Sequence, residues 1–339
     1  MMDYALLWFV LLGVLLMGYA ILDGFDLGVG IIHPFIRGDH ERRLTLNSIG
    51  PLWDGNEVWL VTFGGALFAA FPDAYATVLS GLYLPVILVL LSLIGRAISI
   101  EFRSKSKSKF WRSYWDYSFF LSSATATFVF GMALGNVVGG VPLSPEGRFA
   151  GHLGDVFDPF SVAVGLLAVS GAAMHGAIYL GLKVEGELAK RVHTLAWAGF
   201  FAFVALNVVV GVLAFARVPH LLVNFERWPI VWVMPVLLAL ALANIPRALA
   251  GGKPGVAFAS SCASIAGLVF LAASALYPNL VVSSVDFADS LHLHRASSSE
   301  ATLELMTLFA AIGMPVVAGY TATVYWVFRG KVVLDENSY

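Results

Sequence analysis

The chain contains a series of apolar stretches, each about as long as a bilayer is thick, and this series constrains its fold more than any other feature. A helix needs about 20 apolar residues to cross the hydrocarbon core, where only helices and closed barrels satisfy every backbone polar group. Nine windows meet this requirement, at 5–32, 51–71, 76–100, 117–139, 160–182, 193–215, 228–249, 255–277 and 301–328. The sequence therefore predicts an all-α integral membrane protein with about nine transmembrane helices.

The composition supports this class and argues against others. Of 339 residues, 59% are hydrophobic and 12% charged, whereas about a quarter of the residues of a soluble domain are charged. A net charge of −2 and the lack of a basic tract with interleaved aromatic residues make nucleic acid an unexpected partner. The segments between the predicted helices are too short for a second folded domain. We therefore expect residues 1–339 to form a single transmembrane domain.

Basic residues are distributed unevenly between the two sides of the predicted helices. Fifteen of the 20 Lys and Arg residues fall in the segments that nine alternating spans place on one side. Cytoplasmic segments of membrane proteins carry such an excess. We therefore expect the N-terminus outside the cell and the C-terminus in the cytoplasm.

Five ionisable residues lie at one level of the membrane, in or near the ends of the first three predicted helices. From the helical rise of about 1.5 Å per residue, Asp23 and Asp26 lie near the cytoplasmic end of the first helix. Asp54 and Glu57, on one helical face, lie in the first turns of the second helix, and Arg96 lies one turn before the end of the third. A carboxylate costs about 2.5 to 3.5 kcal/mol at a helix centre, so these residues need partners.

Two interpretations of this set remain open from the sequence. Carboxylates near a membrane face exchange protons, so Asp54, Glu57, Asp26, Asp23 and Arg96 form a candidate proton pathway. Alternatively, Arg96 neutralises Asp23 or Asp26 in a buried ion-pair network that fixes helix packing. Asp54 would then lie in the headgroup zone, where the helix dipole stabilises it.

His175 is the one histidine deep inside a predicted span. It could ligate haem iron, but we expect it to form hydrogen bonds within the helix bundle. No catalytic or metal-binding motif accompanies it, so we predict neither a catalytic residue nor a metal site in this chain. A bundle with buried carboxylates also suits a proton-coupled secondary transporter, which should show paired broken helices near the midplane, or a structural scaffold for a catalytic partner.

The polar residues belong to motifs that cover the first half of the chain. These motifs are Gly18-Tyr19-Ala20, Leu22-Asp23-Gly24-Phe25-Asp26-Leu27-Gly28-Val29-Gly30, Glu41-Arg42-Arg43 with Asn47-Ser48-Ile49, Trp53-Asp54-Gly55-Asn56-Glu57-Val58-Trp59 with Gly64-Gly65-Ala66-Leu67-Phe68-Ala69-Ala70, Phe102-Arg103-Ser104-Lys105, Trp115-Asp116, and Gly135-Asn136 with Gly140-Val141-Pro142. In this combination the chain resembles subunit II of the cytochrome bd-type quinol oxidases. Its length and nine-span layout fit that family over the whole chain.

The resemblance implies a heterodimeric respiratory oxidase that oxidises quinol, reduces dioxygen to water and takes up cytoplasmic protons. Haem b and haem d are then expected in subunit I, the main partner. Subunit II would form two four-helix bundles plus one peripheral helix, and some members hold a structural quinone in their apolar interior. The resemblance also allows a small single-helix subunit and contacts with membrane lipid. It implies the plasma membrane of a bacterium or archaeon.

The resemblance also bears on the five ionisable residues. It places Asp54 on a proton route toward the oxygen-reducing haem, and it puts Asp26 and Arg96 in the same buried polar set. The family has either Gln or Glu at the position of Glu57. At the position of His175 the family includes a glutamine, which argues against haem binding there.

Overall fold

The computed structural model describes residues 2–218 and 220–334, and nearly all regular structure in that part of the chain is α-helical. The helices are, in chain order, α1 (Tyr4–Ile32), α2 (Asp39–Ile49), α3 (Trp53–Ala70), α4 (Pro72–Gly81), α5 (Tyr83–Phe102), α6 (Lys109–Gly139), α7 (Pro159–Lys183), α8 (Gly186–Arg217), α9 (Val223–Arg227), α10 (Val233–Ala250), α11 (Pro254–Leu276), α12 (Leu293–Ala296) and α13 (Glu300–Val327). Two short strands, β1 (Asn279–Val281) and β2 (Leu291–His292), pair antiparallel before α12.

Eight helices of the described chain are long and apolar enough to cross a membrane. They correspond to the expected spans except for the one at 51–71. That segment forms the 18-residue helix α3, but the polar residues Asp54, Asn56 and Glu57 in its first turns lower its mean hydropathy. The all-α membrane fold is confirmed, and the count of nine spans stays a prediction.

Three of the apolar windows differ in extent from the helices that form there. The window at 76–100 is divided into α4 and α5 at Leu82, because Pro85 has no backbone N–H with which to continue α4. Helices α6 and α8 begin about two turns before the windows at 117 and 193. Their first turns carry Lys and Arg side chains, which a hydropathy window excludes although the backbone is helical.

Helix α1 is the centre of the helix packing. It contacts α3, α6, α7 and α11, while α5 packs on α6, α8 on α7 and α10 on α11. The helices thus form two groups of four, α1/α3/α5/α6 and α7/α8/α10/α11. Helix α13 lies outside both groups, against α1 and α3. This grouping agrees with the expected two four-helix bundles plus one peripheral helix, while the number of helices that span the membrane and their orientation stay predictions.

Glycines bring the backbones of α1 and α7 into direct contact. A Cβ atom built on Gly28 would overlap the carbonyl oxygen of Ala172, and one built on Gly176 would overlap the backbone of Gly28. Small residues at such crossings allow the close van der Waals packing that drives helix association in lipid. The two glycines therefore join the two helix groups at the level of Asp26, which is two residues before Gly28.

Helix α13 is attached to the other helices at both of its ends. Near its start, the Trp8 indole donates hydrogen bonds to the carbonyl oxygen of Leu303 and to Thr307 Oγ1, each 3.1 Å long. After its end, Lys331 Nζ donates to the carbonyl oxygen of Val184 over 2.8 Å, and Lys183 Nζ donates to the carbonyl oxygen of Phe328. These contacts fix a helix whose long faces are mostly exposed.

Gly28→Ala tests the α1–α7 contact. We expect a loss of about 1–3 kcal/mol in the free energy of unfolding, because the added methyl group has no space and the backbones must separate. The measurement is the melting temperature of the purified protein in detergent. Gly13→Ala is the matched control on the same helix, since nothing lies within 4 Å of a Cβ atom there. Equal melting temperatures for the two variants would contradict the close contact.

Candidate functional site

Helix α1 carries two fully buried carboxylates, Asp23 and Asp26, one turn apart. Every residue from 23 to 32 is buried, because α3, α6, α7 and α11 enclose this part of α1. The acidic residues therefore lie in the most enclosed segment of the helix. Charges in such a place require opposite charges and hydrogen-bond donors nearby.

Arg96 of α5 supplies the opposite charge. Its Nη1 atom lies 2.6 Å from Asp23 Oδ1 and its Nη2 atom 2.9 Å from Glu57 Oε2. The side chains of Arg96 and Asp23 are 0% exposed, whereas Glu57 is 23% exposed. The fork-shaped guanidinium thus binds one carboxylate from α1 and one from α3 at the same time, which is the geometry that favours Arg over Lys.

Asp26 is held by an amide instead of a cation. Asn56 Nδ2 donates to Asp26 Oδ2 over 2.7 Å and to the carbonyl oxygen of Leu22 over 3.2 Å. The hydroxyl group of Tyr325, on α13, donates to Asn56 Oδ1 over 2.9 Å. A hydrogen-bonded chain therefore runs from the peripheral helix α13 through α3 to the buried carboxylate of α1.

Asn56 and Tyr325 are functional candidates that the sequence analysis missed. Asn56 could have been found, because it lies between Asp54 and Glu57 and is a polar residue in a membrane helix. Tyr325 gave no such signal, since tyrosines near the ends of membrane helices usually lie in the interfacial belt. Only the packing of α13 on α3 reveals its role.

Two carboxylate oxygens of the site have no hydrogen-bond partner in the described chain. They are Asp23 Oδ2 and Asp26 Oδ1, both buried. A carboxylate has lone pairs for about four hydrogen bonds, and buried polar atoms are normally satisfied by protein or ordered water. The hydroxyl group of Tyr19 and the Nε atom of Arg96 are likewise buried in the site without a hydrogen-bond partner in the described chain.

Asp54 lies apart from this group. It is exposed in the first turn of α3, and it makes no hydrogen bond or ion pair with any described residue. The sequence places Asp54 at the membrane level of Arg96, but in the structure Asp54 does not contact Arg96. At about 100° per residue, Asp54 is rotated about 60° from Glu57 around α3, and this rotation turns Asp54 outward while Glu57 reaches Arg96.

A second buried ion-pair cluster lies at the same end of α1. Asp116 of α6 accepts hydrogen bonds from Arg103 Nε at 2.5 Å and Arg42 Nη1 at 2.6 Å, and His33 Nε2 lies 2.7 Å from Asp116 Oδ1. The motifs that contain Arg42, Arg103 and Asp116 give no sign that these residues meet. The cluster links α2 and α6 to the residues that directly follow α1 and α5, and no hydrogen bond or ion pair joins it to the Arg96 group in the described chain.

His175 forms the hydrogen bonds that its sequence context predicts. Its Nδ1 atom lies 2.7 Å from Ser261 Oγ and its Nε2 atom 3.0 Å from the carbonyl oxygen of Ile21. The ring stacks on Phe258 with centroids 4.9 Å apart. Because both ring nitrogens are engaged, His175 does not offer a free ligand to haem iron.

Comparison with known proteins identifies the family. Residues 4–328 match the family model for cytochrome bd terminal oxidase subunit II. The chain belongs to this family. It is 36% identical to the cytochrome bd-I ubiquinol oxidase subunit 2 of Escherichia coli (strain K12), over 99% of this chain and 98% of that protein. It is 35% identical to the cytochrome bd ubiquinol oxidase subunit 2 of Bacillus subtilis (strain 168), over 97% of each.

The fold of this chain agrees with that of a chain in a solved bd oxidase structure. A bd oxidase structure from Geobacillus thermodenitrificans contains a chain that superposes with a TM-score of 0.78 at 18% identity, covering 96% of this chain and 99% of that one. At this identity the likeness concerns the fold alone.

Family membership decides between the functions that the sequence left open. A cytochrome bd subunit II is part of a haem-containing respiratory oxidase and has a subunit I as its partner. It is a multi-pass protein of the plasma membrane. The resemblance noted from the motifs is therefore confirmed, and the transporter alternative is set aside.

Arg96→Leu tests whether the guanidinium compensates Asp23. We expect the free energy of unfolding to fall by about 3–5 kcal/mol, because a fully buried carboxylate loses its counter-charge. The double variant Asp23→Leu/Arg96→Leu should recover part of that loss. The measurement is thermal denaturation in detergent, followed by tryptophan fluorescence.

Arg112→Leu is the matched control for this substitution. Arg112 forms an ion pair with Asp39 on the protein surface, with side chains 27% and 43% exposed. Exposed pairs contribute at most about 1 kcal/mol, so this variant should melt close to the wild type. Equal destabilisation by both arginine substitutions would show that the buried Arg96 pair contributes no more to the free energy of unfolding than an exposed pair.

Proposed function

We propose that this chain supports the haem-bearing subunit I of a cytochrome bd-type quinol:oxygen oxidoreductase and carries part of its proton path. The complex would oxidise quinol and reduce dioxygen to water, with haem b and haem d in subunit I. The protons would enter from the cytoplasm through Asp54, Glu57, Asp23 and Asp26, with Arg96 holding two of these carboxylates in place. Residues 1–339 would act as one membrane domain.

The observation that carries this proposal is the graded burial of the carboxylates. Asp54 is exposed, Glu57 is 23% exposed, and Asp23 is fully buried. A proton path needs acceptors at successive depths between the surface and the interior. Asp23, Asp26 and Glu57 also outnumber Arg96, which leaves two formal negative charges when all three are ionised, and proton binding would neutralise that excess.

The position of Asp54 suggests where the path leaves this chain. Asp54 lies on a stripe of α3 that is exposed along its length and contains Val58, Val61, Gly65 and Phe68. The spacing of four and three residues is that of a helix that packs against another helix. Subunit I would cover this stripe, which would remove Asp54 from lipid and place its carboxylate at the subunit boundary.

A structural quinone would fit one cavity of this chain. The cavity has a volume of about 400 Å³ and lies between α1, α9 and α11, with Phe9, Trp228 and Tyr277 in its wall. This volume is in the range of small-molecule sites. The Asn224 amide group already donates hydrogen bonds to the carbonyl oxygens of Ser274 and Tyr277. The wall of the cavity would therefore hold the quinone ring mainly by apolar contact.

Asp54→Asn tests the proton path in the assembled oxidase. We expect quinol-dependent oxygen uptake to fall on the order of tenfold or more, because the amide cannot take up and release a proton. The reduced-minus-oxidised haem spectrum and the co-purification of subunit I should stay unchanged. Failure to assemble, or full activity, would instead support a purely structural role.

Asp73→Asn is the matched control for Asp54. Asp73 is also exposed in the first turn of its helix, α4. Because α4 follows α3 directly, Asp73 lies beyond the opposite end of α3 from Asp54. The same change in charge there should leave oxygen uptake within about twofold of the wild type, since Asp73 lies far from the buried carboxylates. A similar loss in both variants would assign the effect to surface charge in general.

Glu57→Gln separates ion pairing from proton transfer. A glutamine oxygen can still accept the hydrogen bond from Arg96 Nη2, so the melting temperature should change little. Reduced oxygen uptake with unchanged stability would place Glu57 on the proton path. Unchanged oxygen uptake would mean that Glu57 only holds Arg96 in place. Asp23 would then be the next proton acceptor after Asp54.

A further inference from the structure

A lateral groove runs along the surface where α10 packs on α11. It lies near the basic end of the protein, which is the end that carries Arg103, Lys183 and Lys331. The groove has a volume of about 760 Å³. Its wall is built of small residues, which include Ala243, Gly255, Ala259 and Ala263. Its one polar pair is satisfied, because Asn244 Nδ2 donates to Ser260 Oγ over 2.8 Å. The groove is therefore a mostly apolar surface feature that is open to the side.

Two cations lie at the basic end of this groove. Arg247 is part of its wall and Lys253 lies in the turn between α10 and α11, and both are exposed. Neither side chain forms an ion pair or hydrogen bond with a described residue. No acidic residue lines the groove or occurs in the segment 247–256. The positive charge is thus left without a partner from this chain.

The lining and the charge of the groove indicate what could occupy it. An acyl chain is narrow and suits a wall of alanine and glycine. A ligand with an apolar chain and a negative head would contact the wall and the two cations together, and basic pockets between membrane helices bind such lipid headgroups.

We propose that the α10–α11 groove binds an anionic phospholipid of the leaflet at the basic end. One acyl chain lies along Ala259 and Ala263, and the phosphate is bound by Arg247 and Lys253. The site is independent of the Arg96 cluster, so it does not rest on the proposed proton path. It gives this subunit a specific lipid contact on a face formed by α10 and α11.

Native mass spectrometry of the purified oxidase complex tests the site. The probe is dioleoylphosphatidylglycerol, added stepwise to delipidated complex in detergent, with dioleoylphosphatidylcholine as the neutral comparison. The wild type should retain the anionic lipid preferentially. Arg247→Gln and Lys253→Gln should each weaken its binding about fivefold, which corresponds to about 1 kcal/mol for each basic residue near the headgroup.

A second variant tests the apolar wall of the groove without changing its charge. Ala259→Leu should fill the groove and reduce retention of both lipids, while the complex keeps its haem spectrum and subunit composition. Ala205→Leu is its control, because Ala205 is exposed on α8 and outside the groove. Arg37→Gln is the charge control, since Arg37 is exposed at the basic end but distant in sequence and absent from the groove wall.

Three results would overturn the assignment. These are equal retention of the two lipids by the wild type, equal loss in Arg37→Gln and Arg247→Gln, and unchanged binding in Ala259→Leu. None of these measurements depends on oxygen uptake. A failed lipid site and a failed proton path would therefore be distinguished.

Discussion

One guanidinium group joins three long helices of this protein. Arg96 of α5 binds Asp23 of α1 and Glu57 of α3, although α3 and α5 otherwise make little contact in the described chain. Loss of Arg96 would leave Asp23 as an uncompensated charge in surroundings of low polarity, where such a charge is far more costly than in water. The ion pair therefore fixes the depth at which α3 and α5 stand beside α1, and the polar interior of the subunit is built around it.

Helix α1 combines this polar contact with a second kind of contact. Gly28 and Gly176 bring α1 and α7 together at backbone distance, two residues after Asp26. Asn56 and Tyr325 add a hydrogen-bonded link from Asp26 to the peripheral helix α13. Close packing thus surrounds the carboxylates with rigid walls, which holds their unpartnered oxygens in defined positions.

Two parts of the outer surface combine charge with apolar residues. A stripe of α3 places the Asp54 carboxylate among exposed apolar residues, which is the basis for the proposed contact with subunit I. The groove between α10 and α11 places Arg247 beside an apolar wall, which is the basis for the proposed lipid site. In both proposals a charged residue on an otherwise apolar helix face distinguishes one neighbour from another.

The apolar windows of the sequence predict the membrane class, the helical content and most helix positions, because they have the length that a helix needs to cross a bilayer. The sequence also showed that Asp23, Glu57 and Arg96 lie at one depth, since the helical rise is constant. The tertiary structure alone decided which of these residues touch. The rotation of α3 turned Glu57 inward and Asp54 outward, and the packing of α13 brought Tyr325, 269 residues away in sequence, to Asn56. Depth follows from counting residues along one helix, whereas contact depends on the rotation and packing of several helices, which no single segment encodes.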